Sequence, residues 1–192
     1  MDLDEQLLSN AEIQALARRI DRPVVLVDMM GVGKTTVGRK IAQLLHLPFV
    51  DADEAIEDAA QMTIPEFFEQ YGEAEFRDGE RRVISRLIGD PGTPLKVIAT
   101  GGGAFCNDQT RQLILSRACA VWLDADIDVL VERTARKDNR PLLKQGDPRE
   151  ILARLRAERE PFYSQAPIRV KSGNCPHSRT AQQILKEIDA WL

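Results

Sequence analysis

Between Val24 and Leu45 the chain switches its hydrophobic period, and few folds accommodate the switch. Val24-Val25-Leu26-Val27 is a short apolar run, mostly β-branched and without alternation, as expected of a strand buried on both faces in a parallel sheet. From Lys34 onward Val37, Ile41, Leu44 and Leu45 recur at i, i+4, i+7 and i+8, one face of a helix. Between the two, Asp28-Met29-Met30-Gly31-Val32-Gly33-Lys34-Thr35 fits the pattern G-x-x-x-x-G-K-[ST] everywhere except its first position, where Asp28 stands in place of glycine. Strand, glycine loop and helix in this order make a cradle for an anion. Gly31 and Gly33 let the backbone N–H groups around Val32 close on phosphate oxygens. Lys34 adds a point charge, Thr35 beside Thr36 can ligate Mg²⁺, and the helix directs its positive end at the ligand.

Asp28 conflicts with that chemistry. A carboxylate near 4 Å from a phosphate charge costs about 4 kcal/mol at an effective dielectric near 20. The other arrangement turns the side chain away from the phosphates or pairs it with a lysine or arginine, at little cost. We expect this second arrangement, because the rest of the cradle is intact.

Beyond the loop, strand and helix signals alternate. Pro48-Phe49-Val50-Asp51 reads as a second short strand, ending at two carboxylates, Asp51 and Asp53, spaced i, i+2. Thr63-Ile64-Pro65-Glu66 has capping-box form and opens a helix through Phe67 and Phe68, and a second helical stretch carries Phe76, Val83, Ile84 and Leu87. Val97-Ile98-Ala99-Thr100 is the next buried strand, followed at once by Gly101, Gly102 and Gly103. Three glycines are looser than a simple reversal of direction requires, and bare backbone at a strand's carboxyl end lets a ligand come close. Asn107 can cap a helix to Arg117, Ala120–Leu123 is a further strand, and a helix follows from about Asp126 to Arg133. Residues 135–146 mix charges, Pro and Gly as a mobile loop does, and Asp147-Pro148-Arg149-Glu150 restarts a helix. Ile168-Arg169-Val170 and a last helix holding Ile184, Leu185, Ile188 and Trp191 complete the pattern. The fold class expected is α/β: a three-layer α/β/α sandwich with a five-stranded parallel sheet. Residues 3–20 carry helical spacing at Leu8, Ile13, Leu16, Ala17 and Ile20, so residues 1–22 are read as an N-terminal helical extension and residues 23–192 as a single domain.

Charge and cysteine usage narrow the partners. Twenty-six basic against thirty acidic side chains leave a net charge of −4, so no global positive field invites nucleic acid or an anionic membrane, and anion binding must be local. The apolar runs fall far short of the roughly 20 residues that span a bilayer, and the opening ten residues carry acids where a signal peptide wants bases, which reads as a soluble cytoplasmic protein. Cys106, Cys119 and Cys175 form no CxxC pair and read as reduced thiols, and His46 and His177, far apart, read as structural or solvated.

Taken in order, VVLVDMMGVGKTTVGRKIA, FVDAD, GEAEFRDGE, TGGGAF, RPLL and the R-x-P-F-Y segment from Arg159 to Tyr163 are similar to the motif set of the shikimate kinases, over about residues 23–190. These are P-loop kinases that phosphorylate the 3-hydroxyl of shikimate with MgATP. The resemblance implies a P-loop NTPase fold like that of nucleoside-monophosphate kinases, a substrate-binding segment at about 51–82 and a lid at about 135–147. It implies ATP held by Gly31, Val32, Gly33, Lys34, Thr35 and Thr36, with Mg²⁺ on Thr35 and, through water, on Asp51. Asp53 would contact the sugar-like hydroxyl as base, beside the Gly101–Gly103 backbone. Arg77 and Arg159 would grip the substrate carboxylate, where the planar guanidinium makes bidentate contacts that lysine cannot. Arg140 would fold over the transferring phosphate, and Arg133 would lie against adenine opposite Asn174–Ser178. A monomer with no nucleic-acid or membrane partner is expected.

Each of these residues has a plainer reading. Asp51 and Asp53 can be an acidic helix cap, Arg77 a solvated ion pair among Glu73, Glu75, Asp78 and Glu80, and Arg140 a loop charge. Two alternatives follow for the whole chain: a related kinase acting on gluconate or a nucleoside monophosphate, or a non-catalytic nucleotide-binding protein whose Asp28 records a decayed site.

Overall fold

A computed structural model of the chain describes residues 7–135, 146–173 and 175–192, so Arg140, most of the expected lid and Asn174 lie outside the described residues. The elements run α1 (Asn10–Arg19), β1 (Val24–Val27), α2 (Lys34–Leu45), β2 (Phe49–Asp51), α3 (Ala52–Ala60), α4 (Ile64–Ile88), β3 (Val97–Ala99), a 3₁₀ turn at Ala104–Cys106, α5 (Asp108–Arg117), β4 (Cys119–Asp124), α6 (Ile127–Ala135), α7 (Pro148–Tyr163), β5 (Ile168–Lys171) and α8 (His177–Trp191). The five strands form one parallel sheet in the order β2-β3-β1-β4-β5. β1 therefore lies at the centre, and Val24–Val27 are all 0% exposed, as the unbroken apolar run requires.

Right-handed crossovers put the helices on two faces. The chain steps one way along the sheet from β1 to β2 through α2. It steps the other way from β2 to β3, from β3 to β4 and from β4 to β5. The connecting helices α4, α5, α6 and α7 thus take the face opposite α2, while α1 and α8 pack with α2. The expected three layers result. In register, Asp51 and Leu26 both stand beside Ala99, so β2, β3 and β1 end at one level and their following loops share an edge.

Local chemistry sets the boundaries as expected. Thr63 and Glu66 form a reciprocal capping box on α4, Asn107 accepts from the Thr110 N–H at α5, and Asp147 accepts from the Arg149 N–H at α7. The two helical stretches expected after Thr63 are one helix kinked at Gly72, where φ is +80°. Ile56, Phe76 and Val83, with Phe67 and Phe68, form a small cluster apart from the main core. The first helix is shorter than its apolar spacing suggested. It begins at Asn10 behind a Ser9–Glu12 capping box, because the cap satisfies the first N–H groups there. Ile13, Leu16 and Ile20 enter the main core with β1 and α2. An ion pair to α8, Arg19 with Asp189 at 2.6 Å, is half exposed and contributes little.

Replacing Leu16, which is 0% exposed, with Ala should therefore cost about 2–5 kcal/mol in urea unfolding. A value within about 0.5 kcal/mol of the parent would mean that α1 lies loosely on the surface.

Candidate active site

A cleft of about 570 Å³ opens at the carboxyl edge of the sheet. Gly31, Gly33, Lys34, Thr35, Thr36, Asp51, Asp53, Gly101, Gly102 and Arg133 line it, with Met30, Ala99, Thr100 and His177. Sequence reasoning had named the first ten. Val32 is not on the lining: its side chain is fully buried, and its carbonyl accepts from Arg133 at 2.6 Å.

The loop between β1 and α2 passes through positive φ at Gly31 (95°) and Gly33 (98°), a conformation that residues with a Cβ resist. It brings its N–H groups and the amino end of α2 to the cleft. Lys34 Nζ donates to the Asp28 and Met29 carbonyls, each at 3.0 Å, and so folds against the start of its own loop. Thr35 Oγ1 donates to Asp51 Oδ2 at 3.0 Å, while Asp51 Oδ1 accepts from the Asp53 N–H at 3.1 Å. Asp51 is thus both a cap for α3 and a second oxygen beside the Thr35 hydroxyl. Hard oxygen donors of this kind suit Mg²⁺, which keeps most of its shell as water and phosphate and needs one or two protein oxygens.

Gly101 and Gly102 line the cleft and Gly103 follows them, whereas Arg77 lines a neighbouring cavity of about 670 Å³ with Cys106 and Phe162; the three glycines earn their place by contact. A methyl group at Gly101 would lie 2.6 Å from Asp53 Oδ1, one at Gly102 would lie 3.2 Å from Arg159 Nη1, and one at Gly103 would lie 2.5 Å from Arg77 Nη2. The carboxylate from α3 and the arginines from α4 and α7 all rest on bare backbone. The Gly102 carbonyl is in turn held by the Tyr163 hydroxyl, which donates to it.

The plain reading of Arg77 as a solvated pair does not hold. Its Nη1 donates to Glu80 Oε2 at 2.7 Å, the Glu80 side chain is 2% exposed, and Glu73 stands at 3.5 Å. Glu80 anchors Arg77 from below, and sequence alone offered only an i, i+3 spacing that any surface pair shares. Burial raises the Glu80 pKa from its ordinary value, against the lowering effect of Arg77. Asp53 is also raised, first by burial and then by the neighbouring charge of Asp51. Arg156, less than one helical turn before Arg159, serves elsewhere: it donates to Asp124 Oδ1 at 3.0 Å and to the Ala125 carbonyl at 2.8 Å.

Arg133 reaches three oxygens, on Val32, Gly173 and Ser172, and so ties the phosphate loop to the segment after β5. His177 departs from its sequence reading as structural or solvated. Its Cε1 lies 3.2 Å from the position of a methyl on Gly33, and burial followed by the Arg133 charge lowers its pKa. Nothing local marks it in the sequence, because only the return of the chain from β5 brings α8 to the loop. His46 is structural, closing α2 in the left-handed region.

The Asp28 carboxyl group is turned out of the cleft. It is 2% exposed, Oδ1 accepts from the Met29 N–H, and Oδ2 lies 3.9 Å from Lys34 Nζ with no hydrogen-bond partner. Both halves of the expected arrangement, turning away and facing a lysine, are present.

These contacts sit within a chain whose residues 30–189 match the shikimate kinase family model. The chain belongs to the shikimate kinase family. A shikimate kinase of Novosphingobium aromaticivorans is 66% identical over the full length of both chains. One of Rhodopseudomonas palustris is 51% identical, over 96% of this chain and 89% of that one. Among solved structures, a shikimate kinase of Acinetobacter baumannii in complex with shikimate superposes with a TM-score of 0.82 at 36% identity, covering 91% of this chain and 97% of that one. A gluconokinase of Sinorhizobium meliloti, at a TM-score of 0.52 and 16% identity, shares the fold alone. As a shikimate kinase family member, the chain is an ATP-dependent kinase of α/β/α architecture.

In the ligand-free protein, carboxyl-selective NMR titration should place the Asp53 midpoint above the ordinary 3.8. Asp21 and Asp78, each hydrogen-bonded to an arginine, should fall below it. An Asp53 midpoint alongside those two would contradict the burial described above.

Proposed function

We propose that the chain transfers the γ-phosphate of ATP to the 3-hydroxyl of shikimate, giving shikimate 3-phosphate and ADP, in the route to chorismate and the aromatic amino acids. The observation that carries this reading is the meeting of a phosphate loop with a wall on which Asp53, Arg77 and Arg159 all contact one run of backbone. A ring bearing both a hydroxyl and a carboxylate fits such a wall, with the arginines on the carboxylate and Asp53 on the hydroxyl.

The geometry and the family resemblance together support the following roles. Loop N–H groups and Lys34 neutralise phosphate oxygens, and positioning with charge neutralisation is most of what phosphoryl transfer asks. Thr35, and Asp51 through water, would hold Mg²⁺, which supplies further charge neutralisation when bound. Asp53 accepts the hydroxyl proton as the oxygen attacks. Its raised pKa makes it a better base than an exposed carboxylate. Arg77, fixed by Glu80, and Arg159 orient the carboxylate and so aim the hydroxyl. Arg133 keeps the loop in place and offers its face to adenine. We assign Arg140 to the transferring phosphate. We read the protein as a cytoplasmic monomer, and its net charge of −4 leaves no global positive field for a nucleic-acid partner.

A coupled assay for ADP release with shikimate, gluconate and AMP in parallel should show turnover with shikimate alone. Turnover with either of the others and none with shikimate would overturn the proposal. In the same assay Asp53→Asn should lower kcat by about 10²–10⁴-fold and spare the KM for ATP, because the base acts only in the transfer step. Arg77→Ala and Arg159→Ala should each raise the KM for shikimate more than that for ATP, the loss of a charged hydrogen bond being worth about 1.5–3 kcal/mol. Gly103→Ala should resemble Arg77→Ala, since its methyl displaces that guanidinium.

A further inference from the structure

The first loop position holds a carboxyl group buried beneath the phosphate cradle, and nothing in the transfer chemistry above uses it. Asp28 Oδ1 accepts from the Met29 N–H, while Oδ2 is buried without a hydrogen-bond partner. Behind it lies a small cavity between β4 and α7, walled by Trp122, Asp124, Arg156 and Tyr163. The charged and titratable groups that face Asp28 are Lys34 from α2, Asp124 from β4, and Arg156, Glu160 and Tyr163 from α7. Arg156 is committed to Asp124 and to the Ala125 carbonyl, and Asp124 also takes Arg169 at 2.7 Å. Lys34, at 3.9 Å, is the one cation within 4 Å of the Asp28 carboxylate among the described residues.

We propose that Asp28 is a positioning residue for Lys34, whose carboxylate balances the lysine in the nucleotide-free protein and takes up a proton from solvent when a nucleoside di- or triphosphate claims that lysine. The inference rests on the nucleotide-binding reading given above. Lys34 cannot fully compensate two anions on opposite sides of its ammonium group. The ligand's phosphates have loop N–H groups besides, whereas Oδ2 has no donor at all. A proton on Oδ2 removes the repulsion between carboxylate and phosphate and relieves the orphaned oxygen. Burial already pushes the Asp28 pKa up from its ordinary value, in the direction that favours the added proton. Binding that takes up a proton weakens as pH rises, by at most tenfold per pH unit for one group.

Calorimetric titration with ADP decides the matter, run for the parent, Asp28→Asn and Asp28→Gly at pH 6.5, 7.5 and 8.5 in buffers of different ionisation enthalpy. The buffer dependence of the heat counts protons taken up. His177, Asp53 and ADP itself contribute alike to all three proteins, so the difference belongs to position 28. The parent should take up a fraction of a proton per ADP beyond either variant, and its affinity should fall more steeply with pH than theirs. Asp28→Asn keeps the shape of the side chain, so a folding defect confined to Asp28→Gly leaves the comparison intact. Equal uptake and equal pH slopes would overturn this proposal alone. Failure of all three proteins to bind ADP would bring down the nucleotide reading, and this proposal with it.

Discussion

Three side chains from three helices occupy the volume that Cβ atoms would fill at Gly101, Gly102 and Gly103. This close approach holds the candidate site together. It joins α3, α4 and α7 to one strand end, and without it Asp53, Arg77 and Arg159 would face a cleft without facing one another's ligand. The phosphate loop connects to the same backbone, since the Asp28 carbonyl lies 3.3 Å from where a Gly102 methyl would sit. Two half-sites, one proposed for phosphates and the other for a carboxylated ring, thereby meet over a single bare turn.

Electrostatics in the cleft are balanced rather than simply positive. Arg77 is held by the buried Glu80, and Lys34 is held by the Asp28 and Met29 carbonyls with the buried Asp28 carboxyl group 3.9 Å away, before any ligand arrives. Such pairing keeps long side chains in one rotamer, which lowers the entropy lost on binding, and it costs part of the attraction for anions. An acidic chain can still bind polyanions in this way, because loop N–H groups and the start of α2 add partial charges that no composition count includes.

Much of this was legible in the sequence. The strand, loop and helix at the start of the domain follow from a change of hydrophobic period, and the sheet follows from short unalternating runs at Val24, Val97 and Ala120. Capping residues marked helix starts at Thr63, Asn107 and Asp147. The phosphate loop, Asp51, Asp53 and the triple glycine were legible because they stood at strand ends, where a parallel sheet opens, whereas Arg77, Arg133 and Arg159 were named only through the resemblance to the shikimate kinases. Glu80, His177 and the direction of Asp28 were not. Burial of Glu80 depends on how α4 lies over the triple glycine, and the place of His177 depends on a contact between distant parts of the chain. The Asp28 side chain is a choice of one rotamer against β4 and α7. The extent of α1 was misjudged because apolar spacing continues past the cap that starts it.

Asp51 and Leu26 share the level of Ala99, which makes backbone register the ruler of the site. One residue gained or lost in β3 would shift the glycine turn by about 3.3 Å and turn its neighbours to the opposite face. All three contacts would be lost together, so no partial version of the wall is reachable by change within that strand. New acceptor preferences must instead arise on α4 and α7, whose side chains reach the turn from outside and can be exchanged one at a time. The sheet thus acts as the fixed jaw of a vice, and the helices as the jaw that evolution or design can recut.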